Sequence, residues 1–327
     1  MCSNIRAQAR KKPLEKLPLI LLNVCYVVNN MGYKDSPELI SVLKVGNAED
    51  IYENVKKGFE AFPDINLSSD SVVAIKPNLC AIKTHETGAT TDPRVVGAVI
   101  KYLKNQFGVV NISIVESNGS QVLADLAFKL LGYEEIARKL NVKLVNLSKV
   151  PFSVKSFPEN AFVKEIKVPQ ILSDADFFIT VPKIKTHMDC FITCALKNQY
   201  GCNPYWRKTI YHKRLDDAIV DFSVAFKPDF VVVDGLVAMD GRKGPTEGVP
   251  LRMNTLIFGR DAVAVDYFVA QLMGIKPTCI QYIFEAERRG LGTTNFKTVG
   301  VNPDEIKKKF NIKPVRWHNF YGILQTY

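Results

Sequence analysis

Charged and amide side chains follow four short apolar runs of this sequence. The clusters are Lys76-Pro77-Asn78, Glu116-Ser117-Asn118-Gly119, Pro182-Lys183-Ile184-Lys185-Thr186-His187 and Asp234-Gly235. Lysines attract anions, carboxylates bind cations or transfer protons, and an imidazole gains or loses a proton near neutral pH. The clusters therefore indicate a binding site, and the alternative is ordinary turn chemistry at the end of a strand.

The lysines favour an anionic ligand, because close cations in a partly desolvated crevice need an anion or carboxylates to neutralise them. We expect Lys76, Lys183 and Lys185 to hold the anion. The candidate catalytic residues are His187, Lys183 and Lys197, with proton exchange at His187 or Lys197. Further substrate contacts are predicted at the polar positions Asn78, Thr90, Thr91, Glu116, Ser117, Thr186, Asn198, Asp234 and Gly235.

The carboxylates leave the question of a metal open. Glu116 and Asp234 could pair with lysines, transfer protons or hold a divalent cation, and His187 is the third metal candidate. His187, Cys190 and Cys194 also have helical spacing, which would place them on one helical face. Cys-x3-Cys is not a zinc spacing, so buried thiols are the better interpretation of the cysteines. The cofactor stays undetermined, with a divalent metal as one option.

One further segment could hold an anion. Thr90-Thr91-Asp92-Pro93 has the pattern of a helix start, with Asp92 as the N-cap and proline in the first turn. A helix N-terminus presents free N–H groups, and the two threonine hydroxyls would add donors. The alternative is that this segment only caps the helix.

Alternating β-branched runs and stretches with helical spacing must position these side chains. We predict helices at 48–62, 93–106, 122–140, 215–226 and 261–273, and strands at 71–75, 112–115, 143–145, 177–181, 230–233 and 256–258. Strands that alternate with helices favour an α/β fold with a mainly parallel, Rossmann-like open sheet and helices on both faces. The polar clusters then meet in a crevice at the carboxyl ends of the strands.

The composition favours a reduced protein with an anionic partner. Lys and Arg number 43 against 33 Asp and Glu, a net charge of +10, and 47% of the residues are hydrophobic. Seven cysteines at irregular spacing favour a reducing compartment, so we predict a cytoplasmic protein. No apolar run reaches the about 18 residues of a membrane span, so no membrane contact is expected. We divide the chain into an N-terminal extension, 1–37, and an α/β domain, 38–327.

Aromatic and basic residues alternate at 205–214. The stretch contains Tyr205-Trp206-Arg207-Lys208 and Tyr211-His212-Lys213-Arg214. Such interleaving is typical of proteins that bind single-stranded nucleic acid. Its position after Gly201 equally predicts a lid over the crevice, held by aromatic packing. We prefer the lid, and nucleic acid is not an expected partner.

The same residues resemble those of a known family, domain of unknown function 362. The matching strings are Ile75-Lys76-Pro77-Asn78, Gly88-Ala89-Thr90-Thr91-Asp92-Pro93-Arg94-Val95-Val96, Glu116-Ser117, Pro182-Lys183-Ile184-Lys185-Thr186-His187, Ala195-Leu196-Lys197-Asn198-Gln199-Tyr200-Gly201, Asp234-Gly235, Met239-Asp240-Gly241, Gly244-Pro245 and Asp261-Ala262-Val263-Ala264-Val265-Asp266. They follow the family's order and place the family-like core at about 71–274.

The resemblance has implications for cofactors and fold. Many relatives resemble iron–sulfur proteins through a ferredoxin-like module with closely spaced cysteines. This chain has no Cys-x-x-Cys, so an iron–sulfur cluster is not expected in it. The core is also distantly similar to the lactate racemase fold, and that similarity implies a site lined by Lys183, Lys185 and His187.

Three functions are consistent with these residues. The first is an enzyme, racemase-like, isomerase-like or redox-associated, that binds a small anionic substrate in the strand-end crevice, with or without a divalent metal. The second is a non-enzymatic cofactor-binding or redox-partner protein that uses the same crevice. The third is nucleic-acid binding, driven by the net charge of +10. We favour the first, and the sequence leaves the oligomeric state open.

Overall fold

The computed structural model describes residues 36–312, so the extension predicted at 1–37 lies almost entirely outside the described residues. The strands are β1 (Glu38–Lys44), β2 (Val72–Pro77), β3 (Asn111–Glu116), β4 (Lys143–Asn146), β5 (Phe152–Ser156), β6 (Glu165–Pro169), β7 (Phe177–Val181), β8 (Lys183–His187), β9 (Phe191–Thr193), β10 (Phe230–Asp240), β11 (Val249–Gly259) and β12 (Phe296–Gly300). The helices are α1 (Ile51–Glu60), α2 (Pro93–Phe107), α3 (Ala124–Leu130), α4 (Tyr133–Leu140), α5 (Gln170–Ser173), α6 (Ala195–Gln199), α7 (Leu215–Ala225), α8 (Ala262–Leu272), α9 (Gln281–Arg288) and α10 (Pro303–Ile306).

In the described part of the chain, one large sheet has the strand order β12-β1-β11-β10-β7-β2-β3-β4, with β8 paired to β10 and β9 paired to β8. Strands β10, β7, β2, β3 and β4 are mutually parallel neighbours. Strand β11 is antiparallel to both β1 and β10. Strands β5 and β6 form a separate antiparallel pair. This topology confirms the prediction of an α/β fold with a mostly parallel sheet.

Helices cover both faces of the sheet, as the sequence predicts. Side chains of α1, α2, α3 and α4 form one buried cluster with alternate residues of the strands. Side chains of α6, α7, α8 and α9 form a second cluster with the remaining strand residues. Val73 and Ile75 of β2 belong to the first cluster and Ala74 belongs to the second, which follows from the two-residue period of a strand.

Helix α2 shows how local signals set an element. Asp92 has an extended backbone and its carboxylate accepts a hydrogen bond from the Arg94 amide at 2.9 Å, so it caps the helix. Pro93 occupies the first helical position, where no backbone N–H is needed. Gly108 ends the helix with a φ of 69°, a conformation that favours glycine. The predicted helix at 93–106 is therefore confirmed almost residue for residue.

Two local predictions around the third polar cluster are wrong. The cluster predicted as a loop after β7 is a strand, β8, whose residues pair with β10 and with β9. His187 ends this strand, Cys190 lies in the turn that follows, and Cys194 lies between β9 and α6, so the three residues do not share a helical face. Long-range strand pairing overrides the helical spacing here. Asp234 likewise lies within β10, which continues to Asp240 rather than ending at residue 233.

No helix among residues 36–312 is both long enough and apolar enough to cross a membrane.

Candidate functional site

A cleft of about 590 Å³ lies where β2, β3 and β8 end. Side chains from these strand ends form its floor, and α6, the 3₁₀ segment Lys208–Arg214 and the loop between β10 and β11 form its walls. Its ionisable lining residues are Lys76, Glu116, His187, Asp189, Lys197, Lys208, His212, Lys213 and Lys243, with Cys80 and Tyr200 beside them. Cations therefore outnumber carboxylates in the lining.

The pair of Lys76 and Glu116 forms the floor of the cleft. The Lys76 Nζ atom lies 2.8 Å from Glu116 Oε2, and both side chains are buried. The Glu116 carboxylate also accepts hydrogen bonds from the amides of Leu79 and Ser117, at 3.2 and 2.9 Å. Gly201 packs directly against the lysine, because a Cβ at this position would lie 2.9 Å from Lys76 Nζ. The pair is thus a fixed ion pair with its charges compensated.

An amide network joins the cleft to the lysine behind it. Asn78 accepts a hydrogen bond from Lys185 Nζ at 2.7 Å and donates one to Asn198 Oδ1 at 3.0 Å. Asn198 in turn donates to Thr180 Oγ1 at 2.8 Å and to the Lys76 carbonyl at 3.2 Å. The network holds β2, β7, β8 and α6 together at the edge of the cleft.

Lys183 and Asp234 form an ion pair behind the cleft rather than in it. Lys183 Nζ lies 3.0 Å from Asp234 Oδ2, and neither side chain has exposed surface. The two residues face each other across the pairing of β8 with β10. The Asp234 carboxylate also accepts the amide hydrogens of Asp92 and Leu236, at 2.7 and 3.1 Å.

The N-terminus of α2 does not present free donors, contrary to the prediction for residues 90–93. The Asp92 amide already donates to Asp234, and the Asp92 carboxylate lies 2.6 Å from the Arg94 guanidinium. Thr90 Oγ1 donates to the Lys83 carbonyl and Thr91 Oγ1 to the Val181 carbonyl. The anion at this helix end is the protein's own carboxylate, which satisfies the helix dipole.

His187 enters the cleft from the end of β8. Its Nδ1 atom accepts a hydrogen bond from the Asp189 amide at 3.1 Å, so the proton of the neutral ring is on Nε2. Burial lowers the pKa of His187 well below its usual 6.5, and the charge of Lys197 adds to this shift while Asp189 opposes it. The imidazole is therefore neutral at pH 7 and can donate a hydrogen bond from Nε2 to a ligand.

Lys197 is the half-buried lysine of the cleft wall. Within residues 36–312 its ammonium has no hydrogen-bond acceptor or carboxylate partner, and Nζ lies over the ring of Tyr200, 4.0 Å from the ring centroid. A cation–π contact compensates part of a buried charge. Burial also lowers the pKa of Lys197. An anion entering the cleft would supply the missing partner.

Lys208 is a site residue that sequence reasoning missed. It lies in the aromatic-basic stretch, where lysines are ordinarily solvated, yet it is 8% exposed. Its Nζ atom donates to Ser117 Oγ and, at 3.3 Å, to the Gly201 carbonyl. Burial lowers the pKa of Lys208 to about 7, with a further contribution from Lys76 that Glu116 opposes. The available signal was Tyr211, whose ring packs against the core residues Phe222 and Tyr200.

The stretch 205–214 forms one wall of the cleft, at the place predicted for a lid. Tyr211 packs edge to face on Phe222, with ring centroids 5.2 Å apart, and on Tyr200 at 6.3 Å. The Tyr200 hydroxyl donates to the Lys208 carbonyl. Ser120 from the opposite wall donates to the Trp206 carbonyl at 3.0 Å. These contacts fix the stretch against both the core and the neighbouring loop.

The metal candidates do not form a metal site. Glu116 is paired with Lys76, Asp234 with Lys183, and the Nδ1 atom of His187 is occupied by a backbone amide. In the described part of the chain no group of three or more His, Cys, Asp or Glu side chains could hold a metal ion. The donor set therefore does not fit a divalent cation held by these residues.

Cys80, Cys190, Cys194 and Cys202 are free thiols. Burial raises the pKa of Cys190 and Cys194 well above the usual range, and it raises that of Cys202 to about 12. Cys80 is half-buried in the cleft lining, 3.1 Å from Lys185 Nζ.

The structure divides the predicted site residues into two groups. One group lines the cleft: Lys76, Asn78, Glu116, Ser117, His187, Lys197 and Asn198. The other group lies behind it, buried against the sheet: Thr90, Thr91, Lys183, Lys185, Thr186, Asp234 and Gly235. The second group supports the first through hydrogen bonds: Lys185 Nζ donates to Asn78 Oδ1, and Thr91 Oγ1 accepts from the Asn78 amide.

Comparison with known proteins shows relatives of this chain. It is 27% identical to a thylakoid-associated protein of Synechocystis sp. over 229 residues. This alignment covers 68% of this chain and 69% of the relative. Among solved structures it is similar to the lactate racemase apoprotein from Thermoanaerobacterium thermosaccharolyticum, with a TM-score of 0.41 and 10% identity over 73% of this chain and 57% of that one. The family model for the domain of unknown function DUF362 matches residues 73–271, more than half of the chain. The chain therefore belongs to the DUF362 family.

Proposed function

We propose that this protein is an enzyme that binds a small organic anion in the cleft and exchanges a proton with it. The observation that carries the proposal is Lys197, a half-buried cation in the cleft wall whose ammonium has no acceptor among residues 36–312. An unpaired charge out of bulk water is costly, and binding an anion removes that cost.

The distribution of charge around the cleft supports an anionic ligand. Lys213 and Lys243 are exposed lysines of the lining. The carboxylate of Glu116, in contrast, is already paired with Lys76. Cations on the lining with few uncompensated carboxylates raise the local concentration of small anions and speed their association.

Lys208 is suited to accept a proton from the ligand, and His187 is suited to stabilise the negative charge that this leaves. An amine with a pKa of about 7 is partly unprotonated at neutral pH, so Lys208 can remove a proton from the ligand. The Nε2–H of neutral His187 can donate a hydrogen bond to the negative charge that develops. His187 is a poor base here because its unprotonated nitrogen is occupied by the Asp189 amide.

Lysines supply the electrostatic stabilisation in this proposal. Removal of a proton from carbon next to a carboxylate produces a second negative charge on the substrate. Lys197 would bind the carboxylate, and the Lys76–Glu116 pair would fix the floor beneath it. The substrate class is therefore a small carboxylate with an acidic C–H or O–H group.

The first test measures binding and exchange separately. Titration calorimetry with lactate, malate, pyruvate and inorganic phosphate identifies the anion that binds, and NMR in D₂O records exchange of its carbon-bound hydrogen. Lys197→Gln should weaken binding of that anion by about tenfold or more, the effect of losing one charged hydrogen bond. Lys297→Gln, at an exposed lysine of β12, is the matched control.

The results separate the candidate functions. Exchange in the wild type that is lost in Lys208→Met supports an enzyme. Binding with no exchange would indicate the carrier function in place of catalysis. Equal affinities for Lys197→Gln and Lys297→Gln would contradict the assignment of the anion to this cleft.

A further inference from the structure

We propose that Lys208 is a nucleophile that forms an imine with the carbonyl carbon of a 2-oxo acid bound in the cleft. This inference rests on the proposed function, because Lys197 must hold the carboxylate of the same molecule. Toward a 2-oxo acid the lone pair of Lys208 forms the C–N bond, so with this substrate class Lys208 is the nucleophile and not the base. The inference goes further by naming a covalent step and the substrate class.

The partners of the buried lysines separate Lys208 from the others. Lys76 and Lys183 each form a close ion pair, with N–O distances of 2.8 Å to Glu116 and 3.0 Å to Asp234, so the nitrogen of each is engaged by a carboxylate. Lys185 Nζ donates to Asn78 Oδ1 and the Ala89 carbonyl and contacts Cys80 Sγ, so it has a partner for each of the three hydrogens of an ammonium. The nitrogens of all three lysines are therefore engaged by other groups.

Lys208 has the environment of a neutral amine. Among residues 36–312, its Nζ atom contacts two uncharged acceptors, Ser117 Oγ and the Gly201 carbonyl. A neutral amine has two hydrogens and one lone pair, so these acceptors satisfy its hydrogens and leave the lone pair free. An ammonium would carry a third hydrogen with no acceptor from this part of the chain.

A second cation next to the amine favours the neutral form. Lys76 packs against Gly201, whose carbonyl accepts from Lys208, and its charge acts on Lys208 in the same direction as burial. Desolvation and a neighbouring cation are the two means by which proteins activate a lysine as a nucleophile. Lys208 also lines the cleft, so a ligand can reach it.

The step balances without a further reactant. The Lys208 nitrogen attacks the carbonyl carbon, the C–N bond forms, and the carbonyl oxygen takes one proton from the amine to give a carbinolamine. The hydroxyl takes the second amine proton and leaves as water, and the C–O bond breaks as the C=N bond forms. No electrons are gained or lost. The imine then withdraws electrons from the neighbouring carbon, which makes its proton more acidic.

The experiment traps the imine by reduction. The purified chain is incubated with glyoxylate, pyruvate or 2-oxoglutarate in the presence of sodium cyanoborohydride, which converts an imine to a stable secondary amine. Intact mass and peptide mapping then locate the adduct. Lys208→Arg keeps a long cationic side chain without a nucleophilic amine at this pH, and Lys297→Arg is the control. Binding of the same acids is measured by calorimetry without reductant.

The expected result is one adduct on Lys208 in the wild type and in Lys297→Arg, and none in Lys208→Arg. An adduct that maps mainly to Lys197 or to another lysine would overturn the inference. Binding of the 2-oxo acid with no adduct would also overturn it and would leave the proposed function standing. Absence of binding by any of the three acids and by the anions tested above would refute both.

Discussion

Replacing Lys208 with methionine should stabilise the protein at pH 7, because methionine fills a similar volume and has no charge to desolvate. Lys208 is 8% exposed, and burial is the main cause that lowers its pKa from 10.5 to about 7. The pKa of Lys208 is 10.5 in the unfolded state and about 7 in the folded state. This difference reduces the free energy of unfolding by about 4 kcal/mol at pH 7.

This cost depends on pH in a defined direction. Because the native-state pKa of Lys208 is below the unfolded-state value, the unfolded state binds more protons between about pH 7 and 10.5, and stability rises with pH through this window. At about pH 9.5 the cost has fallen to about 1 kcal/mol. The two hydrogen bonds that Lys208 donates are worth about 1–2 kcal/mol together. We therefore expect Lys208→Met to raise the free energy of unfolding by about 2–3 kcal/mol at pH 7 and to leave it unchanged at about pH 9.5.

Urea unfolding followed by circular dichroism at both pH values measures this difference. Lys297→Met removes an exposed lysine from β12 and reports any general effect of charge. The reasoning is refuted if the stability difference between wild type and Lys208→Met is the same at both pH values. It is also refuted if Lys297→Met shows the same change with pH.

Three further changes test the surroundings of the cleft. Asp234→Asn leaves the fully buried Lys183 ammonium without a carboxylate, and urea unfolding should show a loss of about 3–5 kcal/mol. Gly201→Ala places a Cβ 2.9 Å from Lys76 Nζ, which the buried ion pair with Glu116 holds in place, and the forced shift should lower stability by about 1–3 kcal/mol in the same assay. His187 should give the ¹⁵N NMR shifts of a neutral imidazole at pH 6. Since its native-state pKa is lowered, the unfolded state takes up the proton first, and stability should fall as pH drops below its usual 6.5.

Matched controls make these outcomes decisive. Asp64→Asn breaks an ion pair with Arg260 in which the Asp64 side chain is 71% exposed, and it should cost less than about 1 kcal/mol. Gly119→Ala adds a Cβ whose nearest neighbour is the Val122 carbonyl at 3.7 Å, an ordinary contact. Equal losses within either pair would contradict the packing described, and an imidazole of His187 that titrates near pH 6.5 would contradict its burial.

The sequence predicts most of the fold because its signals are local. The cap at Asp92 and the apolar stripe of Ile51, Val55 and Phe59 specify helices from neighbouring residues alone. Buried parallel strands appear in the sequence as short apolar runs, which are also a local signal. Strand β8 is different, because its polar residues become buried only through pairing with β10. The alternation of Lys183, Lys185 and His187 with Ile184 and Thr186 was the period-two signal that could have identified it.

The sequence predicts which strand ends meet at the candidate site, but it does not predict the partners of each side chain. Strand ends place Lys76, Glu116 and His187 at the cleft, and this follows from topology. Whether a given lysine faces the ligand or a carboxylate depends on partners far along the chain, such as Asp234 for Lys183. Lys208 is the extreme case, since it is buried within a stretch, 205–214, whose other residues are exposed or half-buried.

The amide network of Asn78, Asn198 and Lys185 has a consequence for how the cleft can change in evolution or in the laboratory. Each member fills a hydrogen-bonding position of another, so replacing one leaves a buried donor or acceptor unsatisfied, and the effects of two replacements will not add. New ligand preferences at this edge therefore require paired substitutions. Lys213 and Lys243 stand outside the network on the exposed lining, where single substitutions can be accepted one at a time.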